Sequence, residues 1–254
     1  MRGALLALVL TVAAFATTSA TATTPTWTDA HQAVVVITGN WDAIHGSLHR
    51  YERDRHAWHA VGKAEPVVVG RNGAAWGKDF ASEDADGPVK HEGDNRSPAG
   101  IFRIGEAFGY EPKAATALPY RSLQATDYCV DATTSPFYNR IVDTRDVGGQ
   151  AAKDSTEPMR RDIHVHGDQR YRLGFVIASN PDNTPGLGSC IFAHIWHSPD
   201  TPTAGCTAMT LPVMQSLLGW LRPERKPIFV LLPRKVYQAR WKAWQLPAPQ
   251  DTGA

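Results

Sequence analysis

Short β-branched runs that stop within a few residues at Gly, Pro or Asn recur along this chain. They confine it to a body of short strands joined by turns. Val34-Val35-Val36-Ile37 ends at Thr38-Gly39-Asn40, and Gly46 to Arg53 alternates apolar with polar residues. Trp58 to Val61 follows a charged turn, and Val67-Val68-Val69 closes at Gly70-Arg71-Asn72-Gly73, whose Asn-Gly pair favours a tight turn. Strands at this spacing predict an antiparallel, mainly β body with a few helices. The charged, Gly/Pro-punctuated stretch from Ser82 to Pro98 reads as a surface loop. Further strands are expected over Tyr138–Val142, Tyr171–Ala178, Ile191–Trp196 and Ile228–Leu232.

Two helices complete the pattern. Thr210 is a candidate N-cap with Pro212 in the first turn, and Leu211, Met214, Leu217, Leu218 and Leu221 follow helical spacing. Residues 234–245 can form a basic amphipathic helix carrying Val236, Tyr237, Trp241 and Trp244. No internal repeat is visible. The expected organisation is one domain over residues 23–246, with a flexible tail at 247–254.

Met1-Arg2-Gly3, the apolar run Ala4–Ala16 and the small-residue stretch ending Ala20-Thr21-Ala22 have the layout of a secretory signal peptide over residues 1–22. The apolar run is shorter than the roughly 20 residues that span a bilayer; an uncleaved anchor is the other reading. Removing Arg2 turns 26 basic against 25 acidic residues into 25 against 25. That balance argues against nucleic acid as a partner. No later segment is apolar enough to cross a membrane, so the mature protein is expected to be exported and soluble, in an oxidising compartment.

Three Cys leave at least one without an intramolecular partner. Cys206 stands in Pro202-Thr203-Ala204-Gly205-Cys206, shortly before the helix expected at Thr210. A thiol there would feel the positive helix end. The amides of Gly205 and Cys206 are candidate oxyanion donors. Strand alternation places Cys190, Phe192, His194 and Trp196 on one face, so His194 is a candidate base for Cys206. Three plainer readings stand beside this one. Cys206 is an inert buried thiol, His194 is a core histidine, or Cys190 is the odd cysteine with Cys206 in a disulfide.

Phe192-Ala193-His194-Ile195-Trp196 followed by Thr203-Ala204-Gly205-Cys206 resembles the active-site signature of YkuD-type L,D-transpeptidases. His91-Glu92-Gly93-Asp94-Asn95-Arg96-Ser97-Pro98-Ala99-Gly100-Ile101-Phe102 is similar to the family's Glu-Gly-Asp-x-x-[Ser/Thr]-Pro-x-Gly segment leading into a strand. The resemblance covers roughly residues 33–233. It implies a mixed β-sandwich or barrel and an exported cysteine acyltransferase acting on peptidoglycan stem peptides, in cell-wall cross-linking or remodelling. Cys206 would be the nucleophile and His194 the general base and acid, with no metal or cofactor. Thr203, His166, Tyr171, Arg172 and Trp196 become candidate groove residues, Thr203 also a candidate to orient His194.

The chain departs from the common form of that signature. Ala204 replaces a histidine, Thr207-Ala208-Met209 stands where Arg and Asn are usual, and the loop from His194 to Cys206 is short, which makes it a divergent branch. With Cys206 taken as nucleophile, Cys129 and Cys190 are left for a disulfide; two reduced thiols is the alternative. Water in place of an acceptor amine would give an L,D-carboxypeptidase or amidase. A structural Cys206 would leave a non-catalytic wall-binding module.

Other clusters carry less. His164-x-His166 with Asp162 and Asp168 lacks further zinc ligands at a matching spacing. His45, His49, His56 and His59 fall in the N-terminal hairpin region, Asp84-x-Asp86 is too short for a calcium loop, and no phosphate-cradling or dinucleotide glycine motif is present.

Overall fold

The structure, a computed structural model, describes residues 27–55, 57–80, 86–160 and 167–250. The signal segment at 1–22, His56, His164, His166 and residues 251–254 lie outside the described residues. The first strands are β1 (Gln32–Thr38), β2 (His45–Arg53), β3 (Trp58–Val68), β4 (Ala74–Trp76) and β5 (Ser97–Gly109). Short strands follow at β6 (Tyr120–Ser122), β7 (Asp127–Cys129), β8 (Ile141–Asp143) and β9 (Glu157–Pro158). The last four are β10 (Leu173–Ala178), β11 (Phe192–Ile195), β12 (Thr207–Met209) and β13 (Ile228–Pro233). The helices are α1 (Thr144–Val147), α2 (Leu211–Trp220) and α3 (Arg234–Arg240).

The fold is β-rich, and its main sheet closes on itself as a barrel. The ring runs β1, β2, β3, β12, β11, β10, β5, β13 and back to β1. Pairing is antiparallel except between β1 and β13 and between β11 and β12, so the barrel is mixed. Closure depends on the length of β5. Gly100–Arg103 pair with β13, and Arg103–Gly109 pair with β10 across an irregularity in register. A second, three-stranded sheet, β8-β7-β9, stands apart from the ring.

Burial explains why β1 and β13 read as unbroken apolar runs. Val34, Val35, Val36 and all of Ile228–Leu232 are buried, because one face lines the barrel and helix packing covers the other. The α2 helix begins where its cap predicts: the Thr210 hydroxyl accepts the Val213 N–H at 3.3 Å. Its buried face is Met214, Leu217 and Leu218, continued by Leu221.

Several expectations shift. The strand expected from Tyr138 starts at Ile141, because Asn139 takes a left-handed turn at φ 61°. The strand expected from Tyr171 starts at Leu173, with Arg170–Arg172 forming a 3₁₀ turn. The basic helix ends at Arg240, and residues 241–245 are turns closed by the Leu246 N–H donating to the Trp241 carbonyl. Pro247, expected in a flexible tail, is buried, and its carbonyl accepts the Tyr237 hydroxyl at 2.8 Å. No helix among the described residues is long and apolar enough to cross a membrane.

Candidate active site

Two neighbouring strands place the candidate pair. β11 and β12 run parallel with Ala193 opposite Thr207 and His194 opposite Ala208. Continuing that register one residue back sets Cys206 beside Phe192. Side chains alternate along a strand, so Phe192, His194, Cys206 and Ala208 share a face. Cys206 and His194 are therefore diagonal neighbours on adjacent strands. Both line a cleft of about 630 Å³.

β12 also changes the expected electrostatics. Three strand residues and the cap residue Thr210 separate Cys206 from α2, and four steps of about 3.3 Å put that cap about 13 Å along the chain from Cys206. The dipole of a helix end fades within its first turn. The surroundings of the sulfur come from strand backbone instead. The Phe192 N–H donates to Cys206 Sγ at 3.3 Å, and the thiol donates to the Cys190 carbonyl at 3.4 Å. The thiol is buried, with 8% of the residue exposed.

His194 is 4% exposed. Its Nδ1 lies 2.8 Å from the Ile195 carbonyl, which only accepts, so Nδ1 carries the proton and Nε2 is left as the basic nitrogen. The Tyr171 ring packs edge-on against the imidazole with centroids 5.4 Å apart, and also meets Phe192 and Phe108 edge-on. The Tyr171 hydroxyl donates to Glu157 on β9. Tyr171 thus combines its expected place in the cleft with direct packing on His194.

The turn carrying Cys206 is braced from two sides. The Thr203 hydroxyl donates to the Cys206 carbonyl at 2.6 Å and accepts the Gly205 N–H at 3.1 Å. Its one proton is committed to that carbonyl, so Thr203 supports the turn that carries Cys206, where the sequence suggested support for His194. The Gly205 amide, a candidate oxyanion donor, is directed at Thr203. Gly205 itself has φ 149°, and a Cβ there would meet the Arg96 carbonyl at 3.1 Å. From β5, the Ser97 hydroxyl donates to the same Cys206 carbonyl at 3.1 Å and accepts the Gly70 N–H at 2.9 Å.

Ser97 belongs to the 91–102 motif, whose loop forms one wall of the cleft. Asp94 accepts the N–H groups of His91 and Arg96, and the buried Lys90 ammonium lies 2.5 Å from its carboxylate. Glu92 accepts the Ser189 hydroxyl at 2.8 Å and the Tyr138 hydroxyl. Burial, reinforced by the Glu92 carboxylate, raises the Tyr138 phenol far above its ordinary range and keeps it a donor.

Cys129 and Cys190 are joined in a disulfide with Cα atoms 5.9 Å apart. The bond ties β7, and with it the small sheet, to the residue that precedes the His194 strand. Cys190 has φ 56°, and its N–H donates to Asn139 Oδ1 at 2.9 Å. Of the other sequence candidates, Trp196 lines the cleft, whereas Arg172 faces a separate cavity with Glu111 and Lys113. His166 lies outside the described residues.

The sequence assigns no role to Glu92 or Ser97 individually, although the 91–102 motif contains both, and Lys90 lies just outside that motif. Asp131, Arg71 and Glu157 carried no local signal; tertiary folding brings them to the cleft. Among the described residues, no group of three or more His, Cys, Asp or Glu is placed to hold a metal ion. Set against known proteins, the chain matches no family model, no curated protein and no solved structure.

Proposed function

We propose that this chain is an exported cysteine acyltransferase of the L,D-transpeptidase type, working on peptidoglycan stem peptides in the periplasm or cell envelope. One observation carries the proposal. A buried thiol and a histidine with a fixed tautomer occupy diagonal positions on adjacent strands that line one large cleft. The two motifs behind the family resemblance also meet at one atom, the Cys206 carbonyl, through Ser97 and Thr203.

In this reading His194 Nε2 takes the Cys206 proton and the sulfur attacks the carbonyl of the diamino acid at the third stem position. The imidazolium returns the proton to the departing amine of the terminal D-Ala, leaving a thioester on Sγ. An amine from a second stem then attacks that carbonyl, His194 accepts its proton, and the thiol is regenerated. The Nδ1 proton held by the Ile195 carbonyl keeps the ring oriented through both steps.

The test is a muropeptide profile. Tetrapeptide-containing peptidoglycan is incubated with the protein and with its Cys206→Ala variant, then digested and weighed by mass spectrometry. Cross-linked stems that form only with Cys206 present are the expected result. Trimmed stems of hydrolytic mass would move the reading to a carboxypeptidase, and identical profiles with both proteins would overturn acyl transfer.

A further inference from the structure

Among the described residues, three Lys or Arg side chains line the cleft, and they are not equivalent. Lys90 is buried and committed to Asp94 and to the His91 carbonyl. Arg170 is committed to Asp168 through Nε and Nη2. Arg71 is exposed, and its guanidinium makes no hydrogen bond or ion pair with any described residue. Its backbone, by contrast, is pinned to the machinery. The Arg71 N–H donates to the Thr203 carbonyl at 2.9 Å, and the adjoining Gly70 N–H donates to the Ser97 hydroxyl that holds the Cys206 carbonyl.

A fixed backbone beside the nucleophile turn and an uncommitted planar cation in the same cleft suit recognition of an anion at short range from the reacting bond. Guanidinium matches a carboxylate with two parallel N–H···O bonds. We propose that Arg71 is a specificity-determining residue that binds a carboxylate of the acyl donor, the terminal carboxylate of the leaving residue. This rests on the acyltransferase reading above. Arg71 thereby selects donors that end in a free carboxylate over amidated ones. It does so without sharing its charge with a neighbouring acid, unlike Lys90 and Arg170.

Two alkylating agents that differ only in charge test this on the whole protein, apart from any transpeptidation assay. Iodoacetate carries a carboxylate and iodoacetamide does not, and both displace iodide by attack of the Cys206 sulfur. Arg71→Gln removes only an exposed side chain, so the fold is retained, and circular dichroism checks it. The expected result is that Arg71→Gln slows alkylation of Cys206 by iodoacetate about tenfold while the iodoacetamide rate stays the same; charge-assisted bonds have that magnitude. Arg71→Lys should fall between. With peptide donors, kcat/KM for the free-acid donor should drop by a similar factor and that for the amidated donor should not.

Rates that change together for both reagents, or for neither, overturn the assignment of Arg71. A Cys206 that resists both reagents in the folded parent protein overturns the acyltransferase reading itself, and the role of Arg71 with it.

Discussion

Reducing the Cys129–Cys190 disulfide should lower the melting temperature by about 8–16 °C, and the size follows from where the bond sits. The two cysteines are 61 residues apart in sequence. Closing a loop of that length removes about 14 cal/mol/K of chain entropy from the unfolded state, or about 4 kcal/mol at 25 °C. For a domain of this size each kcal/mol moves the melting temperature by about 2–4 °C. Reduction is a cleaner perturbation than substitution, since both cysteines are buried and truncating either one would add a packing defect. The assay is thermal unfolding by circular dichroism in the Cys206→Ala background, with and without dithiothreitol, so that no third thiol takes part. The loss has a local address as well. The bond anchors β7 and the small sheet, which carries Glu157 to the cleft and against Tyr171. Amide exchange in residues 127–158 should therefore accelerate more than exchange in β1 or β13. A melting temperature that falls by less than about 3 °C would show that the small sheet is held by its other contacts and that the loop-entropy argument does not apply.

Two further outcomes test the site and the core. Ser97→Ala removes the acceptor for the buried Gly70 N–H and one of the two donors to the Cys206 carbonyl, so it should cost roughly 1–3 kcal/mol of stability, read from urea unfolding, and lower kcat more than it raises KM. A variant with unchanged stability and unchanged kcat would refute the brace. Burial, aided by the nearby Arg234, pushes the His49 imidazole below its ordinary 6.5, while a bond to Gln250 opposes the shift. The unfolded chain then binds a proton on His49 that the folded chain resists, so this contribution is complete above pH 6.5 and is lost as pH falls through it. At pH 5.5 the loss is at most about 1.4 kcal/mol. His49→Gln should flatten the fall in urea midpoint between pH 7.5 and 5.5, and parallel slopes for the two proteins would refute the assignment.

The parts of the fold that were legible share one property: their burial pattern repeats with the period of the element. β1 from Ala33 to Ile37 and β13 along its whole length are apolar because both faces are covered, and the apolar spacing of α2 matches its buried face. The alternation of β11 was legible too, with Phe192 and His194 against Tyr171 while Ile191 and Ala193 join the main core. β5 was visible only through the motif that leads into it. Its residues from Ser97 to Phe102 are all buried, those from Arg103 to Glu106 are half-buried, and Gly100, Gly105 and Gly109 interrupt the run, so no single period describes it. A strand that pairs with β13 at one end and β10 at the other changes its surroundings along its length, and sequence pattern averages over that change.

β12 was hidden for a different reason, and it matters most for the chemistry. Thr207-Ala208-Met209 is three residues long and runs directly into a well-capped helix, so helical signals absorb it. Reading Cys206 as a helix-start thiol assigns its activation to a dipole; placing it at the start of a strand assigns it to directed backbone groups. The Phe192 N–H and the Cys190 carbonyl flank the sulfur because β12 lies parallel to β11 in one register. Slipping that register by one residue would turn Cys206 to the opposite face, away from His194. The residues that hold the register of the site are thus Ser97 and Thr203, whose hydroxyls donate to the Cys206 carbonyl, and Cys190, whose carbonyl accepts the Cys206 thiol; the Ser97 bond joins elements 109 residues apart in the chain. Local sequence singles out Cys206 and His194 as candidates, whereas their alignment is a property of the closed sheet, which is why substitutions at Ser97 are expected to affect turnover without changing either residue of the pair.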